Sequence, residues 1–292
     1  MQDDRLKKLQ EILSGYGSCV VAYSGGVDST FLAYVAHKVL GDRSLAVIAD
    51  TPSLPRRELD EALDLGVRFG FPVHVIRTGE FGVDSYTANL SDRCYHCKRE
   101  LFAMLRKVAN ERSYAFVVYG ENVSDAHDNR PGILAAAEFN ARAPLKEAGL
   151  TKQDIRVLSA QLGLPTADKP EMACLSSRVP YGERLTLAKL AMIEKAESFL
   201  RDLGFRDVRV RHHELPRSQG TVERYLARIE LGPDELPRLF RDDAWKRVAQ
   251  ALREIGYQHV TLDLQGYRRG SANEVLGDAR RENLLWPGNP TG

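Results

Sequence analysis

Apolar and polar positions follow two distinct periods along this chain. Short, uniformly apolar runs occur at Ser18-Cys19-Val20-Val21-Ala22-Tyr23, Leu45-Ala46-Val47-Ile48-Ala49, Val73-His74-Val75-Ile76 and Phe116-Val117-Val118-Tyr119. Runs of this kind read as strands buried on both faces. Between and around them lie segments with apolar residues three and four apart. Residues 3–14, Thr30–Leu40 (stopped by Gly41), Pro55–Gly70 and Leu101–Val108 are expected to be helices. Within Pro55–Gly70, Leu59, Leu63 and Val67 are expected on one face. Thr151–Leu162 is a further helix, with Thr151 as N-cap and Asp154 completing an approximate capping box. Strands alternating with helices predict an α/β fold with a parallel sheet covered on both faces.

From Thr186 onward the pattern changes. Leu187–Leu203 and Ala244–Ile255 read as helices ended by Gly204 and Gly256. Val208–His212, Tyr225–Leu231 and His259–Leu264 read as strands. The expected organisation is therefore a parallel α/β domain over residues 1–182, a smaller α+β domain over 183–283, and a loose tail over 284–292. Thr166–Gly182, which contains Pro170 and Pro180, has no clear period and is expected to be a functional loop.

Composition narrows the function classes. Forty-one Lys and Arg against 40 Asp and Glu give a net charge of +1, which disfavours a protein that grips a long nucleic acid. No apolar run approaches the roughly 20 residues of a membrane span. The N-terminus is charged and helical in pattern, unlike a signal peptide. A cytoplasmic protein is expected, so its four cysteines point to metal, redox or sulfur chemistry and away from disulfides.

The segment Ser24-Gly25-Gly26-Val27-Asp28-Ser29 joins the first strand to the first helix of the sheet. Strand, glycine turn and helix N-terminus together make a phosphate site. The glycines let the backbone approach the anion, and the unpaired N–H groups and the helix dipole favour negative charge. Ser24 and Ser29 add hydroxyls, and Asp28 is placed to hold Mg²⁺. No G-x-x-x-x-G-K-[ST] is present, and the turn lacks the third glycine of G-x-G-x-x-G. Ala49 ends the second apolar run and Gly120 follows the fourth, where an open parallel sheet binds its ligand. The loop resembles the pyrophosphate loop of the N-type ATP pyrophosphatases. That resemblance implies a Rossmann-like, adenine nucleotide alpha hydrolase-like domain that cleaves ATP between its α and β phosphates and forms an adenylate.

Cysteine placement adds a second chemistry. Cys94 and Cys97 form a C-x-x-C beside His96, a spacing that suits half a zinc site, a redox pair or two ligands of an iron–sulfur cluster. Cys174 lies in the aperiodic loop beside Ser176, Ser177 and Arg178, which suits a reactive thiolate. Cys19 lies inside a strand and reads as a core residue. Three cysteines on Cys94, Cys97 and Cys174 would leave one iron of a [4Fe–4S] cluster open for sulfide. Combined with adenylation, that implies sulfur insertion at an activated carbonyl. Arg209 and Arg211 share one strand face, either as a solvated charged surface or as a phosphate fork.

Ser24–Ser29, Tyr119-Gly120-Glu121-Asn122, Asp128-Asn129-Arg130-Pro131-Gly132 and Cys174-Leu175-Ser176-Ser177-Arg178-Val179-Pro180-Tyr181-Gly182 together resemble the LarE family. Val208–Arg211 and Val260–Leu264 extend the likeness to nearly the whole chain. The resemblance implies a sulfur transferase of nickel-pincer nucleotide synthesis. Such an enzyme adenylates a carboxyl of pyridinium-3,5-biscarboxylic acid mononucleotide and converts it to a thiocarboxylate. It also implies that Ser177, Arg178, Glu197, Arg209 and Arg211 surround the substrate's ring and phosphate. Glu230 and Asp263 end neighbouring strands and are placed to bind a cation near that phosphate. In one branch the cysteine matching Cys174 gives up its own sulfur. In another, three cysteines hold a [4Fe–4S] cluster, and Cys94 and Cys97 fit that branch. A small-molecule nucleotide substrate, a homo-oligomer and delivery to a nickel-inserting protein follow from the same resemblance. A tRNA thiolase, a non-catalytic nucleotide sensor and an amidotransferase-like synthetase are the rival readings.

Overall fold

The four apolar runs pair as one sheet in the order β3-β2-β1-β4, with every pairing parallel. The computed structural model describes residues 2–127, 131–170, 173–216, 223–268 and 270–271. Asp128, Asn129, Arg130, Glu171, Met172 and the expected tail 284–292 lie outside the described residues. Packing divides the chain into a unit of Met1–Tyr86 with Asp92–Met172, and a second of Thr87–Ser91 with Ala173–Gly292.

The first unit runs α1 (Gln2–Tyr16), β1 (Cys19–Ala22), α2 (Val27–Leu40), β2 (Ser44–Asp50), α3 (Arg56–Phe69), β3 (Val73–Arg77), α4 (Asp84–Thr87), α5 (Arg93–Glu111), β4 (Phe116–Val118), α6 (Pro131–Glu138), α7 (Pro144–Glu147) and α8 (Lys152–Gln161). Alternate β1 residues enter different cores. Cys19 and Val21 pack with residues of α1, α2, α3 and α8, whereas Val20 packs with Phe102, Leu105 and Ala109 of α5. This two-sided burial is why the strands show no polar alternation. The chain steps outward from β1 to β2 and β3, then returns to place β4 on the other side of β1. The topological switch, where such sheets bind ligands, therefore lies beyond the ends of β1 and β4.

Two details of this unit depart from the sequence pattern. Val67 is 84% exposed, because α3 buries the arc of Glu58, Leu59, Ala62, Leu65 and Gly66, leaving Val67 outside it. The helix expected at Leu101 begins at Arg93, so Cys94 and Cys97 occupy its first two turns. Thr151 does form the expected capping box: its Oγ1 accepts from Asp154 N at 3.2 Å, and Asp154 Oδ2 accepts from Thr151 N at 2.9 Å.

The second unit contains α9 (Leu187–Asp202), β5 (Val208–Glu214), β6 (Tyr225–Leu231), α10 (Leu236–Leu239), α11 (Ala244–Ile255) and β7 (His259–Leu262). β6 is central, antiparallel to β5 and parallel to β7. Val208 and Val210 point into a core with Ala196, Leu200, Val248 and Leu252. β7 is shorter than the expected strand. Asp263 turns the chain, its Oδ1 accepting from Gln265 N at 2.9 Å and its carbonyl from Gly266 N at 3.0 Å, and Leu264 lies exposed. Thr87–Ser91 joins this unit through the buried amide of Asn89, which donates to the carbonyls of Pro180 and Glu183 at 2.8 and 3.0 Å. No helix among the described residues is long and apolar enough to cross a membrane.

Candidate functional site

In the first unit the loop from β1 to α2 is tightly built. Gly25 has φ +71°, and a Cβ there would sit 2.8 Å from the Ala62 Cβ, so only glycine fits. Ser29 Oγ accepts from Ser24 N at 3.1 Å and lies 3.0 Å from Ser24 Oγ. Gly26 is the N-cap of α2, and no side chain caps the helix. Glycine offers no side chain to cap this 14-residue helix, and the helix dipole favours an anion at that end. Beyond β4, Gly120 passes close above this turn: a Cβ on it would meet the Asp28 Cβ at 3.1 Å and Ser29 N at 3.2 Å. Ala49 lies at the corresponding end of β2. These are the properties of a phosphate cradle, and the donor set suits ATP with Mg²⁺ on Asp28.

A cation that sequence reasoning did not single out completes this region. Lys152 Nζ donates to Asp28 Oδ2 at 2.6 Å. The capping box fixes the start of α8, and Ser124 Oγ accepts from Lys152 N at 3.1 Å, so the lysine is set by two local anchors. The one available signal was its place directly after an N-cap threonine. Glu121 and Asn122 follow Gly120. Glu121 pairs with Lys146 at 2.6 Å, and the Asn122 side-chain carbonyl accepts from Ser124 N at 2.9 Å.

Cys94 is exposed and Cys97 partly buried, three residues apart on α5 and hence on neighbouring turns of one side. Cys19 is buried, and burial pushes its thiol up to about 12, which fits a packed residue without chemistry. Among the described residues, no group of three His, Cys, Asp or Glu side chains is gathered that could hold a metal ion. The thiols of Cys94 and Cys97 match two ligands of an iron–sulfur cluster in chemistry and spacing.

The second unit brings Ser177, Arg178, Glu197, Arg209 and Arg211 together around the exposed Cys174. Arg178 meets Glu197 in a fork, Nε to Oε1 at 2.8 Å and Nη2 to Oε2 at 3.0 Å. Its Nη1 donates to the carbonyls of Ala173 and Cys174 at 2.7 and 2.9 Å and to Ser177 Oγ at 2.9 Å. Arg211 forks onto Glu230 at 2.9 and 2.8 Å and donates to the Ser177 carbonyl at 2.8 Å. Arg209 lies over the Tyr267 ring, 4.8 Å from its centroid. Both arginines of β5 are 7% exposed, so the solvated-face reading does not apply to them. Glu230 and Asp263 are engaged with arginines: Glu230 with Arg211 and Arg228, and Asp263 with Arg228.

Burial and charge set the protonation of this cluster. Burial alone would raise the Glu197 carboxyl, but Arg178, together with Arg209 and the Val210 N–H, outweighs it and holds the group below the usual carboxylate range. Burial would likewise lower Arg178, and Glu197 reverses that. Arg209 ends up lowered, by burial first and then by the neighbouring Arg178. The region is a dense cluster of three arginines and two glutamates beside one exposed thiol. Sequence reasoning missed Tyr267 and the fork partner role of Glu230, since neither belongs to a local pattern.

Comparison with known proteins adds the following. The family profile described as NAD synthase matches residues 4–120. An uncharacterized protein of Synechocystis sp. is 41% identical over 94% of this chain and 99% of its own length. The pyridinium-3,5-bisthiocarboxylic acid mononucleotide synthase of Lactiplantibacillus plantarum is 36% identical over 94% of this chain and 93% of its own length. A tRNA-specific 2-thiouridylase of Azorhizobium caulinodans is 30% identical over 52% of this chain and 48% of its own length.

Proposed function

The chain belongs to the pyridinium-3,5-bisthiocarboxylic acid mononucleotide synthase (LarE) family, and from that membership we propose that it is an ATP-dependent sulfur transferase of nickel-pincer cofactor synthesis. The observation that carries this reading is the phosphate cradle, a side-chain-uncapped α2 N-terminus behind a Gly25 turn with no room for a Cβ. Its substrate is pyridinium-3,5-biscarboxylic acid mononucleotide, whose carboxyl becomes first an adenylate and then a thiocarboxylate.

Ser24, Gly25, Gly26, Val27, Asp28 and Ser29 hold the phosphates of ATP, and Ala49 and Gly120 flank the nucleotide. Asp28 takes Mg²⁺, and Lys152 exchanges that carboxylate for a phosphate oxygen when the nucleotide arrives. The arginine-rich wall built by Ser177, Arg178, Glu197, Arg209 and Arg211 lies beside the substrate, with Ser177, Arg209 and Arg211 contacting it. Cys174 handles the sulfur. A [4Fe–4S] cluster on Cys94, Cys97 and Cys174 would, when bound, offer an iron without a protein ligand for sulfide. A homo-oligomer and delivery of the product to a nickel-inserting protein belong to the same reading.

A second reading rests on the exposure of Cys174. In it the Cys174 thiolate attacks the acyl adenylate and expels AMP to give a thioester. A base then removes the Cys174 Cα proton, that electron pair forms the Cα=Cβ bond of dehydroalanine, and the Cβ–Sγ bond breaks with its electrons leaving on sulfur as the substrate's thiocarboxylate. One experiment addresses both. The protein is incubated with Mg²⁺, ATP and the biscarboxylate mononucleotide, and nucleotides, product and intact protein mass are followed. AMP release with thiocarboxylate formation is the expected result. Release of ADP instead, or AMP formation only when tRNA is added, would overturn the assignment. A protein lighter by the mass of H₂S at Cys174 selects the sacrificial route, and an unchanged mass through several turnovers selects the catalytic one.

A further inference from the structure

Arg178 is the most buried arginine of the wall, and its guanidinium is fully committed. It is 1% exposed, and all three of its nitrogens are bonded. Two face Glu197, and the third serves Ala173 O, Cys174 O and Ser177 Oγ at 2.7, 2.9 and 2.9 Å. Glu197 is committed as well. Its Oε1 also accepts from the Val210 N–H at 3.0 Å, on the edge of β5 that no strand covers among the described residues. The carboxylate therefore joins the arginine to the sheet. A phosphate bound at Arg178 would have to compete with a buried, bidentate carboxylate, and leaving Glu197 unpaired there is strongly unfavourable.

We propose that Arg178 is a positioning residue: anchored to β5 through Glu197, it grips the main chain on both sides of Cys174 and fixes the place of the sulfur atom, and it is not a ligand of the substrate's phosphate. Ser177 tightens the same turn, its N–H and Oγ both donating to the Cys174 carbonyl at 3.0 and 2.8 Å. Arg211 holds the far end of the loop at the Ser177 carbonyl, itself held by Glu230. Two arginine–glutamate pairs thus brace a short segment whose side chain at Cys174 stays exposed. An exposed thiol carried on a rigid main chain suits a group that must meet an activated carbonyl in one geometry.

The kinetic part of the test rests on the sulfur-transfer reading; the structural part does not. Two variants are compared with the wild-type full-length protein: Arg178→Lys, which keeps the charge but loses the fork, and the double variant Arg178→Met with Glu197→Gln. The double variant removes both buried charges while leaving an acceptor for Val210 N–H, so it folds even if the single change is damaging. Amide hydrogen exchange over residues 173–179 is expected to quicken about tenfold or more in both, with the β5 and β6 amides unchanged. With ATP, Mg²⁺ and the biscarboxylate mononucleotide, kcat is expected to fall about 100-fold while KM for the mononucleotide stays within about twofold. Unchanged exchange in the 173–179 segment would overturn the proposal, as would a large rise in KM with kcat retained. If the wild-type protein transfers no sulfur, the functional reading fails while the exchange measurement still decides the role of Arg178.

Discussion

The ammonium of Lys152 donates a 2.6 Å hydrogen bond to Oδ2 of Asp28, linking residues that are far apart in sequence. The carboxylate proposed to take Mg²⁺ is thus matched by a cation delivered from the start of α8. The pair is partly exposed, so it contributes only about 0–1 kcal/mol to stability. Lys152→Met should therefore leave the thermal midpoint nearly unchanged. It should also slow AMP formation about 100-fold, as loss of one fixed electrostatic partner of a reacting phosphate does. Wild-type turnover in this variant would remove Lys152 from the nucleotide site.

Gly25→Ala tests the cradle itself. The added methyl would meet Ala62 at 2.8 Å, at a residue whose φ is +71°. Strain and overpacking together should cost about 2–4 kcal/mol, read as a lower urea midpoint. ATP protection of the fold against urea should disappear in the same variant. Retained protection would mean that the loop does not approach the phosphates.

His212 provides a pH test for the second unit. It is buried between Tyr225 and Tyr257, and burial first, then Lys189 and His213, lower it from its ordinary 6.5 to about 3. Between those values the unfolded chain takes up a proton that the folded chain refuses. Stability is therefore complete above pH 6.5 and declines as pH falls toward 3. At pH 5 this site should account for up to about 2 kcal/mol of lost stability. His212→Phe keeps the aromatic contacts, so the fall in urea midpoint between pH 7.5 and 5 should shrink. An unchanged fall would place the acid sensitivity elsewhere.

The buried fork of Arg211 on Glu230 should be sensitive to the loss of one partner. Glu230→Ala leaves a guanidinium buried without its carboxylate and should cost about 3–5 kcal/mol. Adding Arg211→Met should recover much of that stability without restoring product formation. Recovery of both would show that the arginine has no part in handling substrate.

Cys94 and Cys97 are tested by composition. Protein purified without oxygen is expected to carry about four irons and four sulfides per chain, lost in Cys94→Ala, Cys97→Ala and Cys174→Ala. A colourless protein, even after anaerobic reconstitution, would leave sulfur transfer to Cys174 alone.

The sequence by itself determined the features that depend on neighbours along the chain. Uniform apolar runs specified buried parallel strands, and helical spacing specified most helices. Ser24–Ser29 specified a phosphate loop, and Thr151 with Asp154 specified a helix start, because these are governed by local backbone geometry. Val67 shows where even local pattern fails, since it kept the helical spacing but the sheet chose another arc of α3 to cover. The tertiary structure alone decided the pairings of charge. One arginine of the wall forks onto Glu197, another onto Glu230, and Lys152 onto Asp28, although many carboxylates and cations in the chain were equally eligible. Charge attraction carries no information about sequence distance. Burial decides which pair forms, because a charge removed from water must find its partner where the packed main chain has already placed one.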